Sequence, residues 1–341
     1  NLILSAQRGL IYDKNHVLLT ENISSTDLVF SPKTLPTREN ETFLLEHLTE
    51  IMPFISPSDF REALERARKT QQDVLVAKAI DHETVLRLEQ ASSEIPGATL
   101  VSSLVRKYPY GESLAHVLGY TSPVSATEIE SDSALIATDI TGKQGVEKKY
   151  DTALRGQHGF TYTEVTASGK EKTDLGRKPP TPGQDLTLTL DISLQQFIYG
   201  LFSERDAKAK AKHEDPVQGS AVVLSPKTGE VLAMVSYPSF DPNTFSQPGK
   251  RSGAADTFEN PLKPLFNRAV DGTYPSGSTI KPFLAAGALQ EGIITERTTI
   301  YSTGAINVGP YRFADWKAGG HGITDVKKAL AESVNTFFYI V

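Results

Sequence analysis

The residues best suited to chemistry lie in Tyr274-Pro275-Ser276-Gly277-Ser278-Thr279-Ile280-Lys281-Pro282-Phe283. A serine hydroxyl is a poor nucleophile near neutral pH and needs an adjacent base. Lysine can be that base if burial or neighbours lower its pKa. Pro282 is tolerated in the first turn of a helix, where backbone N–H groups lack intrahelical partners. A helix is therefore expected from Ser278 or Thr279 through Leu289, ending near Gly292. Ser278 then stands at its N-terminus, with Lys281 one turn on and on the same face. The N–H dipoles at such a terminus favour an oxyanion forming beside the serine. The tetrad alone also reads as a helix cap followed by a solvated lysine. The Pro-Ser-Gly lead-in and the Lys281-Pro282 step favour the catalytic reading.

A second polar pair, Ser333 and Asn335, flanks Val334 at the end of a helix opened by Thr324-Asp325. A hydroxyl and a carboxamide there suit a proton relay and the holding of a substrate amide. Two polar side chains at a helix terminus are the plainer reading. A Lys-[ST]-Gly strand is the usual third element of such a centre. Lys227-Thr228-Gly229 matches it literally, yet precedes Ser278 and lies in a tight turn between two apolar strands. It is rejected, and the working copy is expected beyond Val341.

The elements that must position these residues follow from periodicity. Leu10-Ile11-Tyr12 and Val17-Leu18-Leu19 flank the turn at residues 13–16, a β-hairpin within 8–22. A helix from about Thr37 carries Phe43, Leu44, Leu48 and Ile51 at helical spacing. A second opens with Ser56-Pro57-Ser58-Asp59, a serine cap, a proline and an acid. Val74–Ile80 reads as a strand, 82–91 as a helix, Ile95-Pro96-Gly97 as a turn, and Val146–Leu154 as a short helix. Lys170–Gly183 is rich in Lys, Pro and Gly and reads as a linker. Leu186, Leu188 and Leu190 alternate as a half-buried strand. Asp191 caps a helix with Leu194, Phe197, Ile198 and Leu201 on one face. Ala207–Asp215 is expected to be a solvated loop. Ser220–Leu224 and Glu230–Ser236 form a second hairpin. Two domains follow, 1–175 and 176–341.

Composition narrows the function. The 341 residues suffice for two cores, and 22% charged residues with net charge −6 leave no basic face for nucleic acid. The absence of cysteine excludes a thiol nucleophile and thiolate-bound zinc. No run of about 18 apolar residues offers a membrane span. Both ends read as cut: Asn1 is not a start methionine, and Phe337-Phe338-Tyr339-Ile340-Val341 stops on an apolar run.

In this ordered set the chain resembles class B penicillin-binding proteins. Arg8-Gly9-Leu10-Ile11-Tyr12-Asp13-Lys14-Asn15 looks like the family's opening segment. Gly145-Val146-Glu147-Lys148-Lys149-Tyr150 with Leu154-Arg155-Gly156 looks like the signature of its N-terminal pedestal. Asp185–Leu194, Pro226–Ala233 and Tyr237-Pro238-Ser239-Phe240-Asp241-Pro242-Asn243 look like the start of its transpeptidase domain, and Tyr274–Pro282 is similar to its active-serine segment. Gly320-His321-Gly322-Ile323-Thr324 leading into Ser333–Tyr339 resembles the elongation type. The resemblance implies an α+β chain: an elongated mixed α/β pedestal, 1–175, then an incomplete serine-transferase domain, 176–341, with helices on an antiparallel sheet. It implies a bitopic inner-membrane protein with its bulk outside the cytoplasm. Its activity would be cross-linking of peptidoglycan stem peptides, with β-lactams as inhibitors. A SEDS-family glycosyltransferase and rod-complex scaffold proteins are the implied partners, and no cofactor is implied. Ser278 would attack the D-Ala-D-Ala carbonyl and Lys281 take its proton. Ser333 and Asn335 would assist proton transfer and substrate placement, and an amine from a second stem peptide would resolve the acyl-enzyme.

Three departures qualify this. His16 replaces the glycine usual after the Asn of the opening turn, and histidine tolerates the left-handed region better than most residues. Some elongation-type members hold zinc near the active site through Asp, His and Cys. Asp315 and His321 match, but Val334 stands at the Cys position, so no zinc is expected. The Lys-[ST]-Gly strand is absent. The rival readings are a serine β-lactamase or penicillin sensor, against which the long region 1–175 argues, and a non-catalytic wall scaffold, against which the joint presence of Ser278, Lys281, Ser333 and Asn335 argues.

Overall fold

Glu21–Phe30 is mostly polar and partly exposed over its first six residues, then is buried from Asp27 through the apolar run Leu28-Val29-Phe30, where it enters a core. In the computed structural model it is the middle of a three-stranded antiparallel sheet between Val74–Ile80 and Ala98–Lys107. The structure describes residues 2–32, 34–70, 73–136, 139–165, 171–247 and 252–341. The helices Glu41–Ile51, Pro57–Thr70 and His82–Gln90 share one core with the sheet, with Leu28, Phe30, Leu44, Leu48, Phe60, Leu64 and Leu88 buried. Phe43, expected on the buried stripe, is half exposed and lies against His47 instead. The strand Val74–Ile80 and the Ser56 cap, which accepts from Asp59 N at 3.2 Å, match the sequence reading.

By packing, the chain divides into Asn1–Gly272 and Thr273–Val341. The first unit holds a second core in which Ile11, Leu19, Tyr108, Leu114, Leu118, Leu154, Leu190 and Ile192 meet. The expected hairpin is there: Leu19 N donates to Ile11 O, and His16 adopts φ 61°. The motif segments, far apart in sequence, converge here. Glu147 is fully buried and receives Arg8 Nε and Arg106 Nε, each at 2.7 Å. Gly9 runs so close to Gln184 that a Cβ would fall 2.0 Å from its carbonyl oxygen, so no larger residue fits without a shift.

Several expectations change. The helix of 146–154 is two short ones, Gly145–Lys149 and Asp151–Arg155. Of the stretch expected as a linker, Glu171–Lys178 is a strand paired with Gly159–Val165, while Lys170 lies outside the described residues. The prolines that suggested a linker all follow residue 178. The Leu186 strand is short, Leu186–Thr187, and pairs in parallel with Ile11–Tyr12. Asp191 caps Ile192–Ala211 as expected, accepting from Ser193 N and Leu194 N. That helix overruns the expected loop, supported by the i,i+4 pairs Glu204–Lys208 and Asp206–Lys210. Its buried face is also different: Ile192, Gln195, Asp206 and Ala209 are covered, whereas Phe197 and Leu201 are exposed. Gln195 earns its burial through hydrogen bonds with Ser113 O, Met234 O and Met234 N. The second hairpin, Gly219–Leu224 with Val231–Tyr237, turns through Lys227-Thr228-Gly229, where Gly229 N donates to Ser225 O.

The second unit is small. Ile300–Ser302 pairs with Gly322–Thr324, and Ala305–Val308 with Tyr311–Ala314, both antiparallel. The helices Lys281–Gln290, Val326–Ala331 and Asn335–Ile340 share a core of Ala285, Ala288, Ile294, Val326, Ala329, Val334 and Phe337. Asp325 caps the middle helix through Lys328 N, as its position suggested.

Candidate active site

Residues Gly277–Ile280 form a 3-10 turn that runs directly into the Lys281–Gln290 helix, with Pro282 in the first turn. Gly277 has φ 55°, a value that glycine reaches without a Cβ penalty, and it opens the turn that presents Ser278. Ser278 is exposed, while Lys281 is buried, one turn further on. The turn opens a residue earlier than expected and is tighter.

The second motif comes from a different part of the same unit. Val334 is fully buried in the core, between the Val326–Ala331 and Asn335–Ile340 helices. Its burial fixes the turn, so Ser333 and Asn335 on either side face Lys281. Ser333 holds φ 53°, a left-handed conformation that costs a non-glycine residue roughly 1–2 kcal/mol. The folded unit sustains that strain at a residue whose hydroxyl is central to the cluster.

Lys281 Nζ donates to Asn335 Oδ1 at 2.5 Å, to Ser333 O at 2.8 Å and to Ser333 Oγ at 3.1 Å. Ser333 Oγ in turn lies 2.8 Å from Ser278 Oγ. The structure therefore brings Ser278, Lys281, Ser333 and Asn335 together, with Ser333 as the bridge between the Ser278 hydroxyl and the Lys281 amine. Among the described residues no direct hydrogen bond joins Lys281 to Ser278. Burial pushes the Lys281 pKa down, and the charge of Asp315 only partly offsets this. The ring of Phe338 lies 5.6 Å from the ammonium and adds a weak cation–π contact. Asn335 Nδ2 donates to Ala314 O at 3.2 Å, which sets which way its carboxamide points.

Asp315 underlies this arrangement. Its Oδ1 accepts from Asn335 N at 2.5 Å, and its Oδ2 from Ser302 Oγ at 3.0 Å and Thr336 N at 3.3 Å. Thr336 Oγ1 shares its one proton between Asp315 and Ser302 Oγ, the latter 2.7 Å away. Burial opposes the charge of Asp315, but the hydrogen bonds from Thr336, Asn335 and Ser302 outweigh it and hold the carboxyl below its usual range. Sequence reasoning had singled out Asp315 only as a possible zinc ligand and had missed Ser302 and Thr336. Thr336 directly follows Asn335 and was open to notice. Ser302 lies 34 residues from Thr336, and no local pattern announces it.

The zinc pattern does not fit here. Val334 offers no donor atom, and both oxygens of Asp315 are taken by hydrogen-bond donors. His321 Nδ1 lies 2.8 Å from Glu332 Oε2, which leaves only its buried Nε2 without a partner. Among the described residues no three His, Asp or Glu side chains gather in a metal-holding group.

An exposed serine linked through a second serine to a buried lysine has the groups that serine acyl transfer needs, and the Arg8-Gly9 and Glu147 segments converge within the other unit. The chain belongs to the penicillin-binding protein family: residues 3–188 match its dimerisation domain and residues 219–341 its transpeptidase domain. The helices and antiparallel strands described above are the two-domain fold of that family. Among relatives, it is 36% identical over 344 residues to the peptidoglycan D,D-transpeptidase MrdA of Acinetobacter baumannii, covering 99% of this chain and 49% of that protein. It is 34% identical over 347 residues to MrdA of Escherichia coli K12, covering 99% of this chain and 52% of that one. The chain thus spans about half the length of the curated relatives it matches. Among solved structures, the complex between penicillin-binding protein PBP2 and MreC from Helicobacter pylori superposes with a TM-score of 0.78 at 27% identity, over 99% of this chain and 61% of that one.

Proposed function

We propose that this chain carries the acylating centre of a peptidoglycan D,D-transpeptidase acting in cell-wall elongation. The observation that carries the reading is the hydrogen-bonded path from Lys281 Nζ through Ser333 Oγ to Ser278 Oγ. With Lys281 neutral, the hydroxyls rotate so that Ser278 donates to Ser333 and Ser333 to the amine. Ser278 Oγ attacks the carbonyl between the two D-alanines of a stem peptide, and its proton passes through Ser333 to Lys281. The tetrahedral oxyanion forms near the first-turn N–H of Ser278, which has no intrahelical partner. Its collapse breaks the C–N bond, the departing D-Ala amine takes the proton back, and the acyl group stays on Ser278. The amine of a second stem peptide then attacks this ester, forms the cross-link and frees the hydroxyl. Asn335 holds the amine of Lys281 through Oδ1. The second proton of its Nδ2 is available to a substrate carbonyl.

In this reading residues 1–175 serve as the pedestal and 176–341 as the transpeptidase domain. The protein faces the outside of the plasma membrane from an N-terminal anchor. No helix among the described residues is long and apolar enough to cross a membrane. A rod-complex scaffold is the proposed partner, supported by the MreC complex of the Helicobacter pylori neighbour. A SEDS-family glycosyltransferase is proposed beside it.

The test is covalent labelling of the full-length protein with a fluorescent penicillin. A stable adduct that disappears in Ser278→Ala supports the reading. Rapid loss of label by hydrolysis points to a β-lactamase instead, and absence of any Ser278-dependent label points to a scaffold.

A further inference from the structure

We propose that Asp315, Ser302 and Thr336 form a positioning cluster that holds the Ser333–Asn335 turn in its reactive geometry by hydrogen bonds alone, with no metal ion. The inference rests on the acylation chemistry proposed above. Asp315 touches neither nucleophile nor amine, yet its carboxylate takes both the Asn335 and Thr336 amides. Those amides open the Asn335–Ile340 helix, so the carboxylate sets where Asn335 stands. Asn335 Oδ1 and the two oxygens of Ser333 are what hold Lys281 Nζ.

The cluster is closed on its far side as well. Ser302 Oγ accepts from His321 N at 3.1 Å and donates to Asp315, which ties the Ile300–Ser302 strand to the loop before Gly322–Thr324. Thr336 Oγ1 joins the helix to both partners. The carboxylate therefore links a strand, a loop and a helix. Ser302 and Thr336 supply hydroxyl protons to an oxygen that a cation would otherwise occupy, and Val334 supplies apolar packing where a ligand atom would be needed. A hydrogen-bonded anchor of this kind sets geometry without changing which groups react, so its loss acts on the rate of bond formation more than on substrate binding. Misplacement of a reacting group by about 1 Å costs up to ~100-fold in rate.

The experiment measures acylation of the full-length protein by a fluorescent penicillin over a range of concentrations, separating the saturating rate from the half-saturating concentration. Wild type, Asp315→Asn, Thr336→Val and Thr336→Ser are compared, with elemental analysis of zinc and a parallel series in EDTA. We expect Asp315→Asn and Thr336→Val to lower the saturating rate by ~10- to 100-fold with half-saturation little changed. Thr336→Ser, which keeps the hydroxyl, restores it. Wild type holds no stoichiometric zinc and reacts equally fast in EDTA. Wild-type rates in both variants, no recovery in Thr336→Ser, or one zinc per chain with EDTA-sensitive labelling each overturn the inference. Hydrogen exchange at the Asn335 and Thr336 amides gives a readout independent of labelling. Exchange at least ~10-fold faster in Asp315→Asn supports the cluster, and unchanged exchange rejects it. A wild type that takes no label through Ser278, with these amides still protected by Asp315, sinks the acylation reading and not the cluster.

Discussion

Ser333→Ala isolates the bridge between nucleophile and base. The substitution removes one oxygen, which lies 2.8 Å from Ser278 Oγ and 3.1 Å from Lys281 Nζ. Lys281 keeps Asn335 Oδ1 at 2.5 Å and the carbonyl of residue 333 at 2.8 Å, so the amine stays where it is. The stability cost is that of about one net hydrogen bond, roughly 0.5–1.5 kcal/mol. The catalytic cost is much larger, because the proton of Ser278 loses its path to a base. General-base assistance contributes about 10²- to 10⁴-fold, or roughly 2.7–5.5 kcal/mol of barrier. The assay is the rate of covalent labelling by a fluorescent penicillin, read beside a thermal melt of the same preparation. A melt within a few degrees of wild type and acylation slowed by ~10²-fold or more is the expected pair. A variant that acylates within about tenfold of wild type, under about 1.4 kcal/mol of barrier, would refute the relay and leave Lys281 to reach Ser278 directly.

The remaining predictions bear on the base, the pedestal and the spacer residue. Acylation rises with pH as Lys281 loses its proton. Because burial lowers its pKa, the midpoint falls below the 10.5 of a free lysine; a midpoint at or above that value contradicts the buried-base account. Glu147→Ala leaves Arg8 with Asp151 and the buried Arg106 with only the neutral Asn22 carboxamide, and is expected to cost about 3–5 kcal/mol, read by denaturant unfolding; a loss under about 1 kcal/mol would contradict an uncompensated buried charge at Arg106. Val334→Ala opens space in the core under Ser333 and Asn335. It should lower stability by about 1–3 kcal/mol and slow acylation as well, whereas unchanged labelling would mean the turn does not need that packing.

Much of the site could be read in one dimension because its parts are local. Ser278 and Lys281 sit one turn apart on a single helical segment, and Pro282 restricts where that segment starts. Ser333 and Asn335 flank a residue whose apolar side chain predicts burial. The route between the two motifs could not be read, since whether Lys281 meets Ser278 directly or through Ser333 depends on the left-handed backbone at Ser333. The role of Asp315 was hidden for a similar reason: its partners come from positions 302, 335 and 336, and only folding brings them together. In the larger unit, hairpins and caps followed from turn chemistry. The face buried by Ile192–Ala211 did not, because a polar residue, Gln195, wins burial by satisfying backbone groups while Phe197 remains exposed.

The contrast in exposure between Ser278 and Lys281 has a consequence for reagents. Bulky amine-directed modifiers meet the surface lysines freely but find the ammonium of Lys281 enclosed by the backbone and side chain of Ser333, the Asn335 carboxamide and the Phe338 ring. Small hydroxyl-directed electrophiles such as boronic acids meet an open oxygen at Ser278. Selective inhibitors of this centre are therefore to be sought among compounds that capture the serine.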